Sequence, residues 1–234
     1  MILCLETATP VCSVALCDSN GVISTKESSE FKSHAANITL FIQELLQDAK
    51  IRTEELEAVA VSKGPGSYTG LRIGVSVAKG ISYGASIPLI GIDTTRSMFI
   101  GITGTSEKKY GTDSTSLFCP MIDARRMEVY YSLFDATGIA VKGISAEVIN
   151  ERSFSGIPES VKIIFFGDGS KKCRNITGHK NSVFVEDFTV STAYMQKPAF
   201  EEFNAGHFED VAYFEPFYLK DFIATIPRKN ILIP

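Results

Sequence analysis

The sequence predicts a two-lobed α/β protein in which one set of strands and turns occurs twice. In the first half, an apolar strand ends at Glu6, and a second strand leads through Asp18 to a turn at Gly21. The same features return 117 positions later, at Asp123, Asp135 and Gly138. A later apolar strand in each half runs into a glycine turn, at residues 64–66 and 167–169. A constant offset of half the chain indicates a structural duplication.

Each half opens with three predicted strands separated by turn residues. In the first half they cover residues 2–5, 11–17 and 22–27, and Asp18-Ser19-Asn20-Gly21 is a strong hairpin turn. In the second half one strand ends at Asp123, and the next two cover residues 127–134 and 139–148. Three antiparallel strands followed by alternating helices and strands, twice over, resemble the duplicated ribonuclease-H-like lobes of the actin, hexokinase and acetate-kinase superfamily. A fold resemblance alone implies no function.

The two lobes are predicted to be unequal, with the second lobe degenerate. Its third strand is followed only by residues 150–159, so a helix there is expected to be short or absent. We expect the lobe boundary near residue 104, in the Gly-, Thr-, Ser- and Lys-rich stretch 101–116. The predicted lobes are therefore residues 1–104 and 105–234.

The first lobe contains a well-patterned amphipathic helix at residues 34–49, with Ser33 as its expected N-cap. Its apolar residues recur at helical spacing and define the core face: Ile38, Phe41, Ile42, Leu45, Leu46 and Ala49. Leu40 lies on the opposite side, which it shares with Ala36, Gln43 and Gln47.

Composition and charge restrict the compartment and the partners. The 23 Lys and Arg against 27 Asp and Glu give a net charge of −4, without the basic stripe of a protein that grips nucleic acid alone. Three short basic pairs, at residues 125–126, 171–172 and 228–229, are interpreted as solvated surface. The start of the chain lacks a basic region, no apolar run is long enough to span a membrane, and the five cysteines form no CxxC pair. These features predict a reduced, cytoplasmic protein that is not attached to a membrane.

A glycine loop at residues 62–74 joins a strand to a helix, where backbone amides could receive an anion. It is not a phosphate-binding Walker A loop, because no Gly-Lys-Ser/Thr triplet follows. Gly64, Gly66 and Gly70 are spaced one residue wider than a dinucleotide fingerprint, and Asp93 follows a later strand, so a dinucleotide enzyme stays an alternative. The candidate anion or nucleotide contacts, all weakly indicated, are Glu6, Thr7, Gly64, Gly66 and Ser67. For the strand-end acids Glu6 and Asp123, turn-capping or hydrogen-bonding roles are favoured.

The helix at residues 69–84 carries four small residues at i+4 spacing, the small-residue row Gly70, Gly74, Ala78 and Ser82. Glycine in a helix interior costs up to about 1 kcal/mol relative to alanine, so some close packing must offset the loss. Small and apolar residues cover about 200° of the helical wheel, and Arg72, Lys79 and Tyr83 share the rest. The row either packs inside its own lobe or receives a second chain.

Four segments resemble the TsaB (YeaZ) family: ILCLETAT at residues 2–9, SKGPGSYTGLRIG at 62–74, DARRMEVY at 123–130 and EPFYLK at 215–220. The resemblance implies a non-catalytic paralogue of the TsaD transferase. TsaD acts with the TsaE ATPase and an adenylate-forming enzyme in N6-threonylcarbamoylation of the adenosine beside the anticodon, in tRNAs that read ANN codons. It further implies pairing with a TsaD-like subunit through the first two long helices, a TsaE-like partner, a homodimer when alone, and tRNA held mainly through the complex.

On this resemblance, the expected partner-interface residues are Ala36, Leu40, Gln43, Gly70, Arg72, Gly74, Val75, Ala78, Lys79 and Ser82. If the small-residue row receives a second chain, Ala78→Arg breaks association and leaves the fold intact. If the row faces its own sheet, the same substitution unfolds the lobe.

No catalytic or metal-binding residue is expected in this chain. The catalytic paralogue carries a metal-binding His-x-x-x-His, but here His34 is followed four positions later by Ile38, so the helix face offers a single imidazole. ATP and metal are accordingly expected on the catalytic partner, and no cofactor on this chain. A metallopeptidase-like enzyme of the glycoprotease type stays an alternative.

Overall fold

The computed structural model describes residues 1–29, 34–110 and 112–219, and for residues 104–108 the backbone alone. Two five-stranded sheets form its centre. The first sheet contains β1 (Ile2–Glu6), β2 (Cys12–Asp18), β3 (Gly21–Ser28), β4 (Ala58–Gly64) and β5 (Leu89–Asp93). The second contains β6 (Leu117–Asp123), β7 (Glu128–Phe134), β8 (Ala140–Val148), β9 (Ile163–Phe166) and β10 (Ser182–Phe184). The helices are α1 (His34–Ala49), α2 (Tyr68–Ala85), α3 (Thr94–Tyr110) and α4 (Gln196–Ala205).

The two sheets have the same topology, which confirms the predicted duplication. Their strand orders are β3-β2-β1-β4-β5 and β8-β7-β6-β9-β10, with antiparallel pairing in the opening hairpins and parallel pairing thereafter. Glu6 and Asp123 both end the first strand of their sheet. The hairpin turns also match, because Asp18 Oδ1 accepts from the amide of Gly21 at 3.0 Å and Asp135 Oδ1 from the amide of Thr137 at 2.8 Å.

The second lobe is degenerate, as predicted. No helix occurs between β8 and β9, where residues 150–160 form successive turns. At the position of α2, between β9 and β10, only a 3₁₀ turn at Lys171–Cys173 is present. The first lobe therefore carries both long helices on one face of its sheet.

Two further helices, α3 and α4, pack on the sheets. Buried residues of α3 pack on the second sheet, where Met98, Phe99 and Ile102 join the cluster around Phe118 and Ile164. The C-terminal helix α4 instead covers the first sheet, where Met195 and Ala199 pack on the face opposite α1 and α2. Because apolar residues cover both faces of β1, that strand is a continuous buried run.

Residue 104, the expected lobe boundary, falls inside α3. Of the stretch in which the boundary was expected, residues 101–110 are helical. The helix persists despite their Gly, Thr and Ser content, because the preceding apolar turn packs on the second sheet.

The first helix has the predicted faces. Ile38, Ile42, Leu45 and Leu46 are buried, whereas Leu40 is 48% exposed on the other side. Its expected N-cap, Ser33, lies outside the described residues. All five cysteines are buried thiols without a disulfide. Across the described ranges, no helix is long and apolar enough to cross a membrane.

Candidate protein-interaction surface

The glycine loop packs directly on the turn that follows β1. A Cβ added at Gly66 would meet the Ala8 carbonyl oxygen, and one added at Gly70 would meet that of Thr7, both closer than real Cβ atoms approach. A Cβ at Gly64 would lie 2.8 Å from the Phe217 carbonyl oxygen, and the φ of Gly64 is +116°. These glycines therefore let two other backbone segments approach the loop.

Two amides at the start of α2, those of Ser67 and Gly70, are hydrogen-bonded within the chain. The Ser67 amide donates to the Ala8 carbonyl at 2.7 Å, and the Ser67 hydroxyl accepts from the Gly70 amide at 3.3 Å as the N-cap. The expectation that Gly64, Gly66 and Ser67 contact an anion or nucleotide is thus corrected. The backbones of Ala8 and Phe217 lie against Gly66 and Gly64.

Glu6 and Thr7 are completely buried beneath this loop. Glu6 Oε1 accepts hydrogen bonds from the Ala8 amide at 2.6 Å and the Ser62 hydroxyl at 2.9 Å, which confirms the hydrogen-bonding role expected of this acid. Burial raises the pKa of Glu6 to about 7, and the hydrogen bonds from Ala8 and Ser62 oppose that rise. Glu6 Oε2 and Thr7 Oγ1 have no hydrogen-bond partner among the described residues. Neither side chain can reach a ligand at the surface.

The small-residue row faces the interior of the first lobe. Gly74 packs so closely on the Thr7 side chain that a Cβ would clash with Thr7 Oγ1, and Ala78 is fully buried in the core beneath α1 and α2. The expectation that this row and its neighbour contact a partner is therefore wrong for five residues: Gly70, Gly74, Val75, Ala78 and Ser82. The row packs against residues near β1, and Ala78→Arg would place an unpaired charge in the core.

A second set of small residues on α2 faces solvent instead. Ser76, Gly80 and Gly84 continue at i+4 spacing from the exposed Arg72, and a Cβ added at either glycine would meet nothing within 4 Å. Tyr83, at 81% exposure, lies beside them. No packing among the described residues explains these two helical glycines. Sequence reasoning missed them because the longer row Gly70 to Ser82 dominated the helical wheel.

The exposed sides of α1 and α2 form one surface, because both helices cover the same face of the first sheet. We call it the outer face and define it by the exposed residues Ala36, Leu40, Gln43, Arg72, Ser76, Gly80, Tyr83 and Gly84. Four of them, Ala36, Leu40, Gln43 and Arg72, were expected interface residues. The Arg72 guanidinium stacks over the Tyr68 ring at 4.9 Å, which holds that cation at the start of α2.

A C-terminal strap, residues 207–219, fastens α2 to the rest of the chain. Its Glu209 amide donates to the Leu89 carbonyl at 2.8 Å, and its Phe217 amide donates to the Lys63 carbonyl at 2.7 Å. Lys79, an expected interface residue, is partly buried, and its Nζ donates to the Phe214 carbonyl of the strap at 3.0 Å. The strap thus fixes the glycine loop and α2, and the Lys79 ammonium acts within the chain.

The His34 imidazole lies beside a backbone carbonyl group. His34 Nε2 lies 2.9 Å from the Thr9 carbonyl oxygen, and Ile38 is buried in the core.

Asp93, the candidate ribose-binding acid, lies 3.6 Å from the Lys63 ammonium. The Asp123 carboxylate caps its own turn by accepting from the Arg125 amide at 2.8 Å, as expected. Within the described residues, no three His, Cys, Asp or Glu side chains are grouped as metal ligands.

Two sheets of equal strand order, each opening with a three-stranded meander, define a duplicated α/β fold of the actin, hexokinase and acetate-kinase type. The structure of YeaZ from Pseudomonas aeruginosa shares this fold, with a TM-score of 0.77 at 20% identity over 93% of this chain and 99% of that one. A second Pseudomonas aeruginosa structure, of an uncharacterized protein with similarity to peptidase YEAZ, gives 0.78 at 21% identity over 94% and 99%.

Sequence relatives define the family. Residues 21–227 match the family described as TsaD: tRNA N6-adenosine threonylcarbamoyltransferase. The Escherichia coli protein named tRNA threonylcarbamoyladenosine biosynthesis protein TsaB is 28% identical over 98% of this chain and 99% of its own length. The Haemophilus influenzae protein of that name is 31% identical over 56% of this chain and 52% of its own length. The chain therefore belongs to the TsaD family and, within it, to the TsaB (YeaZ) group.

Proposed function

We propose that this chain is a non-catalytic subunit for tRNA N6-threonylcarbamoyladenosine biosynthesis, and that it pairs with a TsaD-type transferase. The role in this modification follows from the names of the relatives it matches over nearly its whole length. The absence of catalysis is supported by the enclosure of Glu6 and by the buried Ile38 at the position of the paralogue's second histidine.

The pairing is carried by the outer face of α1 and α2. Gly80 and Gly84, which pack on none of the other residues that the structure describes, each cost up to about 1 kcal/mol relative to alanine. Close approach of another helix over Gly80 and Gly84 would offset this loss. Leu40 and Tyr83, which are exposed on the same face, supply the apolar and aromatic area typical of interface centres.

The same face also suits a homodimer when the transferase is absent. A two-fold interface uses one patch on both copies, so a self-complementary surface of two helices is sufficient. We expect such a dimer to bury more than about 1,000 Å² in total. Competition between self-association and the transferase follows from the use of one surface, and a TsaE-type ATPase is expected to join the pair.

Reconstitution tests this function. The chain, a TsaD-type transferase, a TsaE-type ATPase, unmodified tRNA, threonylcarbamoyl-adenylate and ATP are combined, and modified adenosine is measured by mass spectrometry of nucleosides. We expect product only when both the chain and the transferase are present. Product from the chain without the transferase, or full activity of the transferase without the chain, would overturn the proposal.

A further inference from the structure

Two basic pairs that are distant in the sequence lie together at the carboxyl end of β6. Arg125 and Arg126 form the tip of the hairpin between β6 and β7, and Lys172 belongs to the 3₁₀ turn after β9. Lys172 Nζ donates to the carbonyl oxygen of Arg126 at 2.9 Å and to that of Glu128 at 2.7 Å. We call Arg125, Arg126, Lys171 and Lys172 the basic tip.

The hairpin displays its arginines in a backbone conformation that arginine disfavours. The φ angles of Arg125 and Arg126 are +69° and +51°, in the left-handed region where tight hairpins normally carry glycine or asparagine. Both residues are exposed. The fold of the hairpin therefore does not explain the presence of two arginines.

Most of the positive charge at the basic tip is available to a partner. In the described chain, the side chains of Arg125, Arg126 and Lys171 form no ion pair with an acidic residue. Lys172 pairs with Asp123, whose amide donates to Asp168 Oδ1 at 3.0 Å. Four basic residues thus lie in a region with three acidic ones, Asp123, Glu128 and Asp168, on a chain whose net charge is −4.

We propose that the basic tip contacts the phosphate backbone of the tRNA substrate. The contact rests on the proposed function, and it assigns this chain a direct part in holding the RNA. Guanidinium groups match phosphate oxygens in a two-pronged geometry. Arg125 and Arg126 are exposed on a hairpin turn, where an extended polyanion can contact them. Such contacts position the RNA without reading its sequence.

The test uses substitutions that remove charge and relieve the backbone together. Arg126→Gly, alone and combined with Arg125→Asn, places favoured residues at positive φ. Lys50→Gly is the matched control, because Lys50 is an exposed cation with a φ of +56° at the end of α1. Affinity for an unmodified tRNA transcript is measured for the full chain in complex with its TsaD-type transferase, at several salt concentrations. Melting temperatures of all variants are measured in parallel.

We expect the double variant to melt a few degrees higher than the wild type, because it removes backbone strain. Its affinity for tRNA falls roughly tenfold, and the slope of log affinity against log salt becomes shallower by about 1 to 2. Lys50→Gly also melts higher but keeps the wild-type affinity. Replacing both arginines by lysine preserves most of the affinity, because the charge is kept.

Unchanged affinity and salt slope in the folded double variant would overturn the proposal, as would an equal loss in Lys50→Gly. Association of chain and transferase is measured separately. If no complex forms, the proposed pairing fails, and tRNA binding is then measured with the chain alone at low salt. If the double variant alone loses tRNA binding, the contact is still supported. If the wild-type chain does not bind tRNA either, the contact is refuted.

Discussion

Gly74→Ala tests the assignment of the small-residue row to the interior of the lobe. The added methyl group would meet Thr7 Oγ1 well inside contact distance and would lie 3.4 Å from Thr7 Cβ. Thr7 is fully buried and β-branched, so its side chain has little freedom to rotate away. Gly80→Ala is the control on the same helix, because its methyl group enters open space.

The two substitutions give opposite results although their chemistry is the same. Each gains up to about 1 kcal/mol of helix propensity. Only Gly74→Ala incurs an overpacking cost, typically about 1–3 kcal/mol. We therefore expect Gly80→Ala to stabilise the chain and Gly74→Ala to unfold about 1–3 kcal/mol more easily than Gly80→Ala.

Urea unfolding followed by circular dichroism gives both free energies, and a double-mutant cycle identifies the contact. In a Thr7→Ala background the clashing hydroxyl is absent, so Gly74→Ala is expected to cost little. The assignment fails if Gly74→Ala and Gly80→Ala are equally stabilising, or if the Thr7 background leaves the cost of Gly74→Ala unchanged.

Two further predictions concern the buried acid and the strap. Burial raises the pKa of Glu6 from 4.5 to about 7, so the folded chain favours the protonated carboxyl. The stabilisation from this protonation is fully present below about pH 4.5 and declines until about pH 7. Glu6→Gln should remove this decline, on the order of 3 kcal/mol, and a stability difference from wild type that does not vary with pH would contradict it. Lys79→Met removes the hydrogen bond to the Phe214 carbonyl, so we expect faster hydrogen exchange of the Phe217 amide without loss of the global fold. Unchanged exchange there would show that the ammonium does not hold the strap.

The duplication could be predicted from the sequence because it depends on local turn chemistry. Asp18 and Asp135 cap their own turns by accepting hydrogen bonds from amides two to four positions away. The turns can therefore be predicted without knowing which distant residues meet. The amphipathic helix α1 could also be predicted from local sequence, because its apolar and polar sides are distinct.

The orientation of α2 could not be predicted, because small residues occur on both of its sides. Gly74 faces inward because Thr7 lies opposite it, and that contact joins residues far apart in the chain. The docking of α4 on the first sheet and the meeting of Lys172 with Arg126 are non-local in the same way. Five of the ten expected interface residues are therefore buried and Lys79 is bonded to the strap, although both helices occur where they were predicted.

Sedimentation velocity of the chain mixed with its TsaD-type transferase tests the central claim most directly. Leu40→Asp places a charge in the middle of the outer face, and Ile23→Asp does the same at a residue of β3 with equal exposure, 47% against 48%. We predict that the wild type and Ile23→Asp form a heterodimer, whereas Leu40→Asp sediments as a folded monomer beside the free transferase. A heterodimer that survives Leu40→Asp unchanged would contradict the account, because the partner would then bind elsewhere on the chain.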